Sequence, residues 1–225
     1  MILAVTGLQR EARILAGPGV EVAAGGGDLD LRAAGKRGVI SIGIAGALAP
    51  GLRPGDWVVA DAVRDRDELL PTDRDWTARL ASRLSARQRG VFLSGDTIVA
   101  TAAQKAALHR ATGAIAVDME SHRAARAAQR RGLPFAVARV ISDAADRTLP
   151  PAARVGMKSD GTVDLPAVLR SLLLAPWQLP ALIRTGLEAE TSFRALLRGH
   201  RMLGPGLGGP MPRGSYVGEL PPDMV

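Results

Sequence analysis

Residues 117–146, VDMESHRAARAAQRRGLPFAVARVISDAAD, constrain the fold more than any other stretch of the chain. Residues 114–117 form a short apolar run of strand type, and Asp118 follows where its carboxylate can accept an early helical N–H. An Ala/Arg-rich segment carries the helix to Gly132, a C′ residue with Pro134 just beyond. Residues 135–141, apolar except for Arg139, read as a buried strand. Together they make a β-α-β unit. It predicts Glu120, in the first helical turn, and Asp143, just past the second strand, at the same carboxyl edge of a parallel sheet. Open α/β proteins place ligands at such edges. The competing expectation is structural: Glu120 favours the helix N-terminus and Asp143 caps the next turn.

The rest of the chain supplies partners for that unit. Strands are predicted at 2–6, 20–26, 39–49, 57–63 and 91–100, and helices at 8–16, 29–36, 73–84 and 102–111. Trp76, Leu80 and Leu84 share one face of the 73–84 helix. At 225 residues and 47% hydrophobic, one substantial core fits and a second full domain does not. The expected fold is a single α/β domain, a central mixed twisted sheet flanked by helices, with a helical C-terminal extension. Residues 1–163 form the core and 164–203 the extension. Within the extension, segments 165–175 and 177–199 are helical, separated by Pro176, with Pro180 near the start of the second. They are apolar with single arginines, as a surface-lying amphipathic helix would be, or a helix packed on the sheet edge or a second subunit. Residues 204–225 are Gly/Pro-rich and read as a tail without order.

Composition removes several functions. The net charge of +7, mostly arginine, attracts anions. Aromatics at 3% offer no stacking platform for nucleic acid, however. The absence of cysteine rules out disulfides and thiolate metal sites and fits a reducing compartment. The three histidines, at 109, 122 and 200, are too scattered for a His-based metal site. No apolar run reaches the length of a membrane span, and the opening residues lack the basic start of a signal peptide; the expectation is a cytoplasmic protein.

At Met119-Glu120 and along Ile141-Ser142-Asp143-Ala144-Ala145-Asp146, the chain resembles the nucleoside phosphorylase/nucleosidase superfamily, especially its methylthioadenosine/S-adenosylhomocysteine nucleosidase branch. That family has an M-E pair after one strand and an S-D pair ending the next. The segment Gly7-Leu8-Gln9-Arg10-Glu11-Ala12 is similar to its opening turn, where a glutamate activates water; Glu11 is the carboxylate available, unless it is a solvated helix residue. Arg10 and Arg13 flank it where family phosphorylases use an arginine for phosphate. The run VISIGIAGALA resembles the glycine loop that lines the ribose, which assigns Ala45 and Gly46 to the site, with tight strand-to-helix packing as the competing use. The run PGLRPGD resembles the family's entry to the following strand. The run VFLSGDTIVA resembles the strand end beside the base, with Ile98 in place of a stacking aromatic, Val99 beside it, and Asp96 as a turn residue. Ser41 and Ile44 stand where phosphorylases carry Arg and Ser/Thr. The V-D-M-E-S wording and the Arg/Leu/Pro-rich C-terminal helices are similar to hopanoid-associated phosphorylases, a group linked to removal of adenine from adenosylhopane.

The resemblance implies cleavage of the N-ribosidic bond of an adenine nucleoside. Asp143 would protonate N7 of the leaving purine, with Ser142 beside it. Glu120 would grip the ribose hydroxyls and stabilise the cationic sugar, and Met119 would lie under the ring. Glu11 would orient water. No metal or organic cofactor is called for, and phosphate is the alternative co-substrate. The partners implied are an adenine nucleoside, lipid-linked in the hopanoid reading, a second copy of the chain in a homodimer, and a membrane surface touched peripherally; nucleic acid is not among them. From another class, a non-catalytic nucleoside-binding or storage relative on the same fold fits the motifs.

Overall fold

The apolar runs become eight strands of one mixed sheet in the computed structural model, which describes residues 1–25, 27–155 and 165–210. In chain order these are β1 (Ile2–Thr6), α1 (Gln9–Leu15), β2 (Val20–Ala24), α2 (Leu29–Ala33), β3 (Val39–Ala47), β4 (Trp57–Asp65) and β5 (Glu68–Pro71). There follow α3 (Arg74–Arg83), β6 (Gln88–Ser94), α4 (Ala102–Thr112), β7 (Ala116–Asp118), α5 (Ser121–Arg130) and β8 (Phe135–Asp143). The chain continues through α6 (Pro151–Val155), α7 (Leu165–Leu174) and α8 (Leu179–Leu203).

Strands β2, β1, β3 and β8 run parallel. Strands β4, β6 and β7 are parallel to one another, and they oppose β8 and β3 where they meet them. Because β8 pairs with both β3 and β4, and β7 with both β3 and β6, five strands close into a ring. The two strands of the predicted β-α-β unit are therefore not neighbours in a parallel sheet: β3 stands between them, and β7 runs antiparallel to it. The reason is local. Strand β3 has a bulge between Ala45 and Gly46, and past it the strand meets β7 only at Gly46 and Ala47. The same Gly46 pairs with Val117 on one side and Asp143 on the other, so the ends of β7 and β8 still converge.

Helix α5 presents Ala124, Ala125, Ala127 and Ala128 to the sheet, and these short side chains let the helix lie close to it. Asp118 does cap its start, accepting the Ser121 N–H at 3.0 Å. On the other face, Trp76 and Leu80 of α3 pack with Ala195 and Leu196 of α8. Asp73 holds the start of α3 by accepting the Trp76 N–H at 2.8 Å. The second half of α8 is thus part of the core, tied by Ser192 Oγ donating to the Ile141 carbonyl at 2.7 Å. Its first half, α7 and the turn between them leave Leu169, Leu173, Leu174, Trp177, Ile183 and Leu187 exposed. Among the described residues, no helix is long and apolar enough to cross a membrane.

The expected tail departs from its prediction at the start. A 3-10 turn at Pro205–Gly208 buries Leu207 completely, and the Leu207 carbonyl accepts from Trp76 Nε1 at 3.2 Å. A single large apolar side chain anchors the segment against the Gly/Pro bias of its neighbours. The remainder of the tail, 211–225, lies outside the described residues.

Candidate active site

Glu11, Glu120 and Asp143 come from three separate elements and line one cavity of about 520 Å³. Its wall also includes Ala45 and Gly46 of β3, Ile98 and Val99 after β6, Met119 before α5, and Ser142 at the end of β8. Every residue assigned to nucleoside or water from the sequence thus faces the same space. Arg10 and Arg13 do not. Arg10 pairs with Glu190 of α8 at 2.5 Å and lies 4.1 Å over the Phe193 ring, while Arg13 is exposed. The helical period explains the split: with Glu11 turned inward, the positions one before and two after it fall on other faces.

Glu11 is buried and fully engaged. Its Oε2 accepts from Thr6 Oγ1 and from the N–H groups of Gly7 and Leu8 at 3.0 and 2.8 Å; its Oε1 accepts from the Ile44 N–H at 2.7 Å. One carboxylate joins the first turn of α1 to β3. Gly43 is required for this approach, since a Cβ there would fall 2.5 Å from Glu11 Oε1 and 2.8 Å from Arg139 Nη1.

Arg139 is fully buried at the centre of the acids. Its Nη2 donates to Ser41 Oγ at 2.6 Å and to Glu120 Oε2 at 3.1 Å. Nε lies 3.0 Å from Asp118 Oδ2 but off the N–H direction, an ion pair without an aligned hydrogen bond. Burial works against its charge, yet Asp118, Glu120 and Glu11 outweigh it and hold the guanidinium above the usual arginine range. Asp118 also accepts from Ser94 Oγ at 2.6 Å and from Ser121 Oγ.

Glu120 is pushed up to about 7, first by burial, opposed by Arg139, and then by the nearby charges of Asp118 and Glu11. Its side chain remains 22% exposed and lines the cavity. Also in the cavity wall, Ser142 Oγ lies 2.6 Å from Asp143 Oδ1 and 3.1 Å from the Ala45 carbonyl. Lys105 Nζ of α4 donates to Asp143 Oδ2 and, at 2.8 Å, to the Ala144 carbonyl. Asp96 sits at the rim with Arg123 at 2.6 Å, and that hydrogen bond holds its carboxyl below the usual range.

Sequence reasoning took Arg139 as an interruption of a strand and passed over Lys105. A charged residue inside an apolar strand run was the available signal for Arg139, because a buried charge must find partners. A lysine in an Ala-rich helix gives none, since such lysines ordinarily face water.

The sequence profile of the phosphorylase superfamily matches residues 29–160. A futalosine hydrolase from Streptomyces coelicolor is 34% identical over 124 residues, 47% of this chain and 53% of the relative, so the chain spans about half the length of that relative. Among solved structures, an S-adenosylhomocysteine nucleosidase from Streptococcus pyogenes, in complex with 5-methylthiotubericidin, is similar with a TM-score of 0.59. It is 20% identical, with 91% of this chain and 97% of the other covered. A 5'-methylthioadenosine/S-adenosyl homocysteine nucleosidase from Helicobacter pylori gives 0.60 at 18% identity, over 90% and 95%. A futalosine hydrolase mutant from the same organism gives 0.53 at 21%, over 63% and 89%. At such identities the structures speak for the fold, while the profile covers more than half of the chain. The chain belongs to the phosphorylase superfamily.

Proposed function

We propose that this protein cleaves the N-ribosidic bond of an adenine nucleoside, releases adenine, and uses water as the acceptor. The observation that carries the reading is the convergence of Glu11, Glu120 and Asp143 on one cavity sized for a nucleoside. Relatives named as hydrolases and nucleosidases support the reaction class.

The residues divide the work by charge. Breaking the bond leaves positive charge on the sugar and negative charge on the purine. Glu120, ionised and steadied by Arg139, stabilises the sugar cation and takes the ribose hydroxyls. Asp143 delivers a proton to N7. Ile98 and Val99 supply an apolar wall for the base, and Met119 a floor for the sugar. Glu11 takes the proton of the attacking water. Water suits this cavity better than phosphate does: Glu11 already occupies the Ile44 N–H, a carboxylate there repels a dianion, and Arg10 is committed to Glu190.

For the 5′ substituent, the reading is an apolar group of the adenosylhopane kind. The exposed apolar side chains of α7 and the first half of α8, set among arginines, support a lipid-linked substrate met at a membrane surface. The decisive experiment follows adenine release from adenosine, methylthioadenosine and an adenoside with a long apolar 5′ chain, with and without phosphate. Free ribose sugar from at least one of them is the expected product. Ribose-1-phosphate whose yield rises with phosphate would replace water as acceptor, and adenoside binding without turnover would leave a storage protein.

A further inference from the structure

Lys105 has no solvent exposure and takes no part in the cavity wall. Asp143 stands between it and the cavity, with one oxygen against the Lys105 ammonium and the other facing Ser142 Oγ. Helix α4 does not need this lysine for its own ends. Thr101 and Gln104 form a reciprocal cap at its start, and Gly113 ends it in a left-handed conformation. The residues flanking the helix start are tied separately, by the Leu149 N–H to the Ala100 carbonyl and by the Ala102 N–H to Thr148 Oγ1. A buried ammonium is costly unless something is gained from it, and here its side-chain partner is the one carboxylate placed to meet the leaving base.

We infer that Lys105 is the proton source for the departing purine, acting through Asp143 as a positioning residue behind it. This rests on the nucleosidase reading above. A nucleoside filling the cavity strips water from the open side of Asp143. In a dry site an ion pair loses much of its advantage over the neutral amine and carboxylic acid. A proton then passes from Lys105 Nζ to Asp143 Oδ2, and Asp143 donates a proton to N7. The C1′–N9 bond breaks with its electron pair going to the purine, which leaves neutral. Water forms the new bond to C1′ and loses its proton to Glu11. Solvent later reprotonates Lys105 and accepts the proton from Glu11, so one proton enters and one leaves per turnover.

The other charged groups of the site are committed elsewhere. Asp118 and Glu120 face Arg139, Glu11 faces backbone N–H groups and Thr6, and Asp96 faces Arg123. On α4 itself, His109 Nδ1 meets the Ala114 carbonyl, and Arg110 lies on the exposed side. None of these reaches Asp143 by a hydrogen bond or ion pair among the described residues.

The test compares single-turnover adenine release from methylthioadenosine by the wild type, Lys105→Arg, Lys105→Gln and Asp143→Asn, from weakly acidic to weakly alkaline pH. Arginine keeps the charge beside Asp143 but does not give up a proton at any pH used. Glutamine keeps a donor without a labile proton. Both are expected to fall by on the order of 10²-fold at neutral and alkaline pH, and Lys105→Gln to recover toward acid, where solvent protonates Asp143 directly. Either variant, folded by its thermal midpoint and showing the wild-type rate and pH profile, overturns the inference and leaves Lys105 a packing residue. Where methylthioadenosine is not cleaved, the same comparison is made with adenosine and with the adenoside carrying a long apolar 5′ chain, and a wild type inactive on all three removes the nucleosidase reading and this one with it. An active wild type matched by Asp143→Asn removes Asp143, and so Lys105, from the proton path while leaving the reaction itself intact.

Discussion

Glu120 concentrates the electrostatics of the site in one side chain. Its carboxyl, ordinarily near 4.5, is raised to about 7 by burial and by Asp118 and Glu11, against the pull of Arg139. The folded protein therefore binds this proton more tightly than the unfolded chain does. The stability gained is complete below about pH 4.5 and is lost as pH rises through about 7. Glu120→Gln removes that dependence, so its thermal midpoint should gain on the wild type as pH climbs through this window. Parallel midpoints at all pH values would mean that Glu120 titrates normally. In the proposed reaction Glu120 works ionised, so wild-type kcat/KM should rise with pH through about 7. The Gln variant should lose that limb and suffer more in kcat than in KM, because the sugar charge exists only near the transition state. Asp143→Asn should leave the circular dichroism spectrum unchanged and slow adenine release by on the order of 10²-fold or more. Near-normal turnover would take Asp143 out of the chemistry.

At the scale of elements, the site depends on how closely β3 approaches α1 and β8. Gly43→Ala forces a methyl group into the Glu11 carboxylate and the Arg139 guanidinium, both of them held by several partners. The variant should lose both stability, by about 1–3 kcal/mol, and activity; a urea titration and a rate measurement would show whether the two fall together. An active, fully stable variant would mean that the three groups have room to shift. Local signals made much of this legible in the sequence. The apolar run at Ile2–Thr6 and the inward face of α3 declare themselves through periodicity. The candidate site carboxylates were picked out by resemblance to the family's M-E and S-D pairs and its opening turn, and all three line the cavity. Pairing was not. Strand β7 has three residues, too few to state a direction, and β5 is a short hairpin partner reached through Arg66 in a left-handed conformation. Arg10 and Arg13 share the chain with Glu11 but not its helix face, a distinction that proximity in sequence conceals.

For the molecule as a whole, the exposed apolar surface is uneven. Leu173 near the end of α7, at 84% exposure, and Trp177 in the stretch joining α7 to α8, at 76%, project outward, while Phe193, Ala195, Leu196 and Leu203 of the far half of α8 are buried in the core. Under the lipid-linked reading, the protein should sediment with vesicles containing anionic lipid at low salt and release as salt rises. A Leu173→Glu/Trp177→Glu double variant should stay in the supernatant with its thermal midpoint unchanged. Vesicle-independent dimerisation lost in the same variant would assign the patch to a second copy instead. The turn at Pro205–Gly208 acts on a different timescale. Leu207 joins the cluster containing Ile2 and Trp76, and Gly209 lies against Ile2 itself. Ile2 and Leu207 lie about two hundred residues apart, so this flank of β1 is covered only by a contact of very long sequence separation, whose loop-closure entropy places it among the late events of refolding.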